Sequence, residues 1–158
     1  MSYKIERLSK YIFDDENYNK LANRIYYVTD HLTKDYPHHY EWYYQTHLPG
    51  VRKGNREVFF VQLHDNICGA AFVKKTDDEK KICTFYIAEY ARNMGIGRAL
   101  MNKAFDYLDT KKPLITMPAS KVQFFLHFMY RYDWKITEIK DSYYTRGHDE
   151  IVFNGNLN

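Results

Sequence analysis

Apolar positions recur along this chain with two different periods, and the switches between them mark out the elements. After a short extended stretch at residues 2–8, Tyr18, Leu21, Ile25, Val28 and Leu32 fall three or four residues apart and so share one face of a helix. Asp14 and Asp15 stand just ahead of that run, where a carboxylate can accept the first free amides, and predict its start. Pro37 opens a second, aromatic segment, and Pro49-Gly50 closes it, which predicts a short helix between residues 37 and 47. Residues 56–63 and 67–74 read as strands joined by His64-Asp65-Asn66, whose Asp and Asn tolerate a hairpin's backbone angles. At residues 81–88 the pattern of Ile82, Cys83, Phe85, Tyr86 and Ile87 leaves little polar face, as in a strand covered on both sides.

Helical spacing returns with Leu100, Met101, Ala104, Phe105 and Leu108, and residues 113–117 form a short strand. Ser120 is placed to cap a last helix whose buried stripe is Phe124, Phe125, Phe128, Met129 and Tyr132. Strands at residues 134–139 and 150–153 finish the chain around a polar loop, Asp141 to His148. The order is strand, two helices, three strands, helix, strand, helix and two strands. Such alternation predicts an α/β (α+β) fold: a mixed, mostly antiparallel sheet of about seven strands flanked by about four helices. No linker or repeat divides the 158 residues, so one domain over residues 1–158 is expected.

Composition changes this picture in two ways. Sixteen Tyr and ten Phe supply large buried areas and leave several phenols free for site chemistry. A net charge of +3 suits an anionic ligand, yet Lys and Arg are scattered, so a nucleic-acid partner is not indicated. Cys68 and Cys83 lie in apolar strands and read as reduced core thiols rather than a disulfide or metal cluster. His38-His39 lacks the spacing of a zinc site, and no metal is expected. No apolar run approaches the ~20 residues that span a bilayer, and no basic cluster precedes an apolar N-terminal stretch. The expectation is a cytoplasmic protein without a membrane segment.

The candidate chemistry lies in Arg92-Asn93-Met94-Gly95-Ile96-Gly97-Arg98, between the buried strand and the following helix. Glycines there let phosphates approach the backbone, and successive amides at the positive end of a helix can hold a pyrophosphate. A dinucleotide fingerprint requires a third glycine where this chain has Leu100, and is rejected.

The segment from Phe85 to Leu100 resembles the acetyl-coenzyme A signature of the GNAT acetyltransferase superfamily: Arg or Gln, two residues, Gly, one residue, then Gly or Ala. Arg92, Gly95 and Gly97 match it, and the order of strands agrees with that topology along nearly the whole chain. The resemblance implies the GNAT fold and an N-acetyltransferase with acetyl-coenzyme A as cosubstrate. It further implies that the backbone from Arg92 to Arg98 holds the pyrophosphate. Tyr86, Ile87 and Ala88 would bond the pantetheine arm, and the amide of Ile87 would polarise the acetyl carbonyl.

The sequence departs from that family at the usual acid, a Tyr of the last helix. Met129 stands in its place, Asp133 replaces the Gly that follows, and Val122 occupies a position often held by Asn. Tyr130 projects ~100° away. Tyr86, Tyr143 and Tyr144 are candidate acids, and Glu41, His38, His39 and His127 candidate bases for deprotonating an amine. The aromatic stretch at residues 36–44 and the Asp141 to His148 loop are expected either to wall the acceptor or to fill a core or homodimer seam. Direct transfer to a small-molecule, peptide or protein amine is the main reading. A GNAT-fold binding module without turnover and a toxin-like acetyltransferase of aminoacyl-tRNA stay open at this point.

Overall fold

The computed structural model of the chain describes residues 2–157. Seven strands form one sheet: β1 (Tyr3–Arg7), β2 (Arg56–Leu63), β3 (Asn66–Lys75), β4 (Lys80–Ile87), β5 (Leu114–Pro118), β6 (Ile136–Thr145) and β7 (His148–Phe153). Their spatial order is β1-β2-β3-β4-β5-β7-β6, with β4 and β5 parallel and every other pair antiparallel. The β2–β3 hairpin turns through His64 at φ 57°, with Leu63 opposite Asn66.

β2 shows why the sheet is covered on both faces. Val58 and Phe60 enter one core with Tyr18, Ala22, Ile25 and Tyr43, while Phe59 and Val61 enter the other with Leu100, Met101, Phe105 and Leu108. The first core is roofed by α1 (Asp15–Thr29) and by the stretch α2 (His39–Trp42), a π-turn (Tyr43–His47) and α3 (Leu48–Lys53). α4 (Ile96–Leu108) and α5 (Leu126–Tyr132) cover the second. The Asp14 carboxylate caps α1 as expected, accepting from the amide of Asn17 at 3.3 Å.

Four local expectations are corrected. Pro49-Gly50 does not close a helix. Pro49 directly follows the π-turn and the helix runs on through it, and Gly54 at φ 88° ends the stretch. Ser120 caps nothing: the chain enters α5 through a 3-10 helix (Ala119–Phe125), and Phe124 is exposed. The Asp141 to His148 segment is mostly strand, because β6 runs to Thr145 and β7 resumes at His148 after a turn at Gly147, φ 81°.

The fourth correction is functional. β4 is not covered on both sides, since only Ile82 in it is fully buried. Its pairing with β5 is limited to Lys81↔Leu114 and Ile82↔Ile115. At the next residue the β3 ladder skips from Val73↔Ile82 to Phe72↔Thr84, leaving Cys83 as a bulge that bends the strand. Beyond it β4 stays with β3 to Gly69↔Ile87, whereas β5 stays with β7 to Pro118↔Glu150. The sheet therefore splits at its one parallel pair, and the half-buried apolar residues of β4 line the split.

Candidate active site

Two left-handed residues shape the turn leading out of β4, Asn93 at φ 64° and Gly95 at φ 78°. Gly95 is the residue before α4, and no side chain caps this helix end. The amides of Ile96, Gly97 and Arg98 have no carbonyl a turn behind them within the helix, so they remain free donors at its positive end. A β-carbon at Gly97 would meet nothing nearer than Cγ1 of Ile87, at 3.9 Å. Packing does not demand a glycine there; the space it leaves belongs to a cavity.

That cavity measures about 930 Å³ and passes through the split from one face of the sheet to the other. On the α4 side its lining includes Arg92, Asn93, Gly95, Gly97, Arg98 and Lys121. Phe85, Ile87, Phe125 and Phe128 line the middle, and Leu32, Asp35, Tyr36 and Thr116 line the α1 side. Three cations, Arg92, Arg98 and Lys121, against the single carboxylate of Glu89 favour an anion near the start of α4. Arg92 is held in place: its Nε donates to the Ile87 carbonyl at 3.2 Å, and its guanidinium lies 5.4 Å from the centre of the Phe124 ring.

The backbone of Ile87 is aimed by its neighbours. The Ala88 amide donates to the Cys68 carbonyl at 2.7 Å, which makes Ala88 and Cys68 a bonded pair of the β3–β4 ladder. Bonded and unbonded pairs alternate in an antiparallel ladder, so the N–H and C=O of Ile87 point away from β3 and into the split. The Arg92 bond to that carbonyl agrees with this direction.

The α1 side carries a different chemistry. Glu150 is only 3% exposed, and its Oε2 accepts from the Thr116 hydroxyl at 2.8 Å and from the Tyr36 hydroxyl at 3.0 Å. Burial pushes the Glu150 carboxyl above its ordinary value, against the two hydrogen bonds. Burial, then the Glu150 charge, holds Tyr36 well above the usual phenol value. The same two causes push Tyr144, whose ring meets Tyr36 edge-on at 5.0 Å, up to about 12. The His31 ring lies 4.6 Å from that of Tyr86, tilted by 59°, and its pKa is held low, by burial first and then by Lys121 and Lys34.

Of the residues expected from sequence, Tyr86, Ile87, Arg92, Asn93, Gly95, Gly97, Arg98 and His127 line the cavity. Ala88, Met94 and Ile96 do not. The Ala88 amide is already engaged by Cys68, Ile96 is buried in the core, and Met94 packs against that core. Glu41 and His38 are exposed and lie outside the lining, while His39 is buried with its Nε2 3.0 Å from the Thr29 hydroxyl. Within residues 36–44, Tyr43 and His39 fill core, and Tyr36 alone reaches the cavity. Tyr130 is 84% exposed, as its helical angle requires. Sequence reasoning missed Glu150 and Thr116, the partners of Tyr36, and singled out Tyr36 only as one of the aromatic residues 36–44. The signal was a glutamate sharing one strand face with Val152, a position where a charge is costly.

A mixed sheet that splits at its only parallel pair, beside an uncapped helix start, defines an α/β protein of the GNAT fold. The family model for the acetyltransferase (GNAT) family matches residues 17–117, and the chain belongs to that family. No curated protein matches it at the level of sequence. Among solved structures it is similar to a protein assigned to the GNAT acetyltransferases from Desulfovibrio desulfuricans, with TM-score 0.68, 16% identity and coverage of 96% of this chain and 97% of that one. An IAA acetyltransferase from Bacillus cereus gives 0.63 at 17% identity, again covering 96% and 97%. A GNAT family acetyltransferase from Elizabethkingia anophelis, solved with acetyl-CoA bound, gives 0.52 at 20% identity, covering 71% of this chain and 83% of that one. None of the helices in the described residues is long and apolar enough to cross a membrane.

Proposed function

We propose that this chain is an acetyl-coenzyme A-dependent N-acyltransferase that passes the acetyl group directly to an amine. The observation that carries the reading is the split between β4 and β5, opening beside the free amides of α4 and the unfilled space at Gly97. The cosubstrate supplies an acetyl group activated as a thioester. Its anionic end fits the amides of Gly97 and Arg98 with the side chains of Arg92, Arg98 and Lys121. Its extended arm fits the split, where β4 has lost its β5 partner and offers backbone groups in place of a sheet bond. The amide of Ile87 then faces the acetyl carbonyl, and one such fixed donor is worth about 3–4 kcal/mol in the transition state.

Neither cysteine serves as a nucleophile in this reading. Cys68 is buried, and burial raises the thiol of Cys83, which disfavours a thiolate. Met129 packs on the core and offers no proton, so a thiolate leaving group takes its proton from the attacking amine or from water. Incubation with acetyl-coenzyme A and a panel of primary amines should release free thiol in an amine-dependent way, with acetylated amine in equal amount by mass spectrometry. Bound acetyl-coenzyme A with no release for any amine would make the protein an inert binding module instead.

A further inference from the structure

Three carboxylates in this fold are nearly dry, and they are not equivalent. Glu57 is 1% exposed and pairs with Arg7 at 3.0 Å, while accepting from the Ser9 and Val58 amides and the Ser9 hydroxyl. Glu6 is 9% exposed and faces Lys4 at 3.3 Å and Lys10 at 3.5 Å. Glu150, at 3%, has no cation within 4.0 Å among the described residues. Two neutral hydroxyls meet the same oxygen, Oε2. A buried carboxylate without a counter-charge is costly to keep, and the two residues that contact it, Tyr36 and Thr116, are themselves walls of the cavity. Asp35 lines the same end and has a buried Oδ2 with no hydrogen-bond partner. Its carbonyl accepts from the Thr145 hydroxyl at 2.8 Å, which ties this turn to the β6–β7 hairpin that carries Glu150.

Resting on the acetyltransferase reading above, we infer that the α1 side of the cavity receives a small alkylammonium acceptor, and that Glu150 takes its proton through the Tyr36 hydroxyl. The ammonium gives a proton to Tyr36 Oη as the phenol's own proton passes to Glu150 Oε2. The freed nitrogen pair forms the N–C bond to the thioester carbonyl, and the C–S bond breaks with its electron pair on sulfur. A second amine proton goes to that thiolate, and Glu150 returns its proton to solvent. Tyr36 is the residue that touches the acceptor, and Glu150 is the positioning residue behind it. Two acidic side chains, Asp35 and Glu150, select against an acceptor whose far end is a carboxylate. The groups facing Glu150 are Tyr36 and Asp35 before α2, Lys81 on β4, Thr116 on β5, and on β6 Tyr144 and Lys140, the ladder partner of Glu150, which is spent on Glu138 at 3.0 Å.

The probes are 1,4-diaminobutane and 4-aminobutyrate, equal in length and opposite in charge at one end. Wild type should bind 1,4-diaminobutane by calorimetry without cosubstrate and acetylate it, with kcat/KM at least tenfold above that for 4-aminobutyrate. Its pH profile should show an acid limb that Glu150→Gln abolishes. Glu150→Gln should keep acetyl-coenzyme A affinity within about twofold while binding the diamine about tenfold more weakly. Its kcat/KM should fall about 10²-fold, and Tyr36→Phe should lose a similar factor with Glu150 intact. Equal rates on the two probes, or a Glu150→Gln enzyme with wild-type rate and pH profile, would overturn the inference. So would wild type that binds acetyl-coenzyme A and neither binds nor acetylates the diamine. Failure to bind acetyl-coenzyme A at all would overturn the donor reading itself.

Discussion

At the scale of single residues, Glu150 and Gly97 both give up stability for the cavity. Burial raises the native Glu150 carboxyl above the value near 4.5 it has in the unfolded chain. The native state therefore binds the proton more tightly, and stability falls as pH rises from about 4.5 through the raised native value. Glutamine keeps the acceptor oxygen for Tyr36 and Thr116 and removes the charge. Thermal melts should thus show Glu150→Gln above wild type at pH 8 and level with it near pH 4. A variant less stable than wild type at pH 8 would mean that the ionised carboxylate supports the fold. Gly97 lies in the first turn of α4, where alanine is the better helix former by about 1 kcal/mol, and it meets no packing constraint.

At the scale of elements, helix ends and the β4 bulge matter most. α4 ends on Asp109 at φ 56°, a conformation that costs an L side chain roughly 1–2 kcal/mol and glycine nothing. Asp109→Gly should raise stability by about 0.5–1 kcal/mol after glycine's extra unfolded-state freedom is counted, shifting Tm by about 2–3 °C. An unchanged or lower melting temperature would show that the aspartate makes a compensating contact. Asp133 holds the same left-handed backbone at the end of α5, φ 56°. Asp133 thus stands where the resemblance led one to expect glycine, in a conformation that glycine adopts without strain.

That substitution also marks where sequence stops being readable. The stripes of α1 and α4 and the turn at residues 92–98 could be read directly, since period and glycine placement are local properties. The Cys83 bulge could not, because it exists only as a mismatch between two strands' registers. Likewise Tyr36 and Glu150 are 114 positions apart and meet only through the fold. Glu41 looked chemically apt but faces solvent, since helical phase at α2 turns His39 inward instead.

At the scale of the whole molecule, the sheet works as two antiparallel blocks, β1-β2-β3-β4 and β5-β7-β6, joined by the two residue pairs that link β4 to β5. The cavity occupies the wedge between them. The basic start of α4 lies on one face, and the acidic end built by Asp35 and Glu150 on the other. On the proposed reading, donor and acceptor would enter from opposite faces of the sheet and meet at Ile87. The most direct test of this account is calorimetric titration of the purified protein with acetyl-coenzyme A, beside the Gly97→Glu variant. Wild type should show saturable one-site binding, and affinity should fall at least 10²-fold when a carboxylate side chain fills the space at Gly97, with the variant still folded by circular dichroism. No binding by wild type, or equal binding by the folded variant, would contradict it.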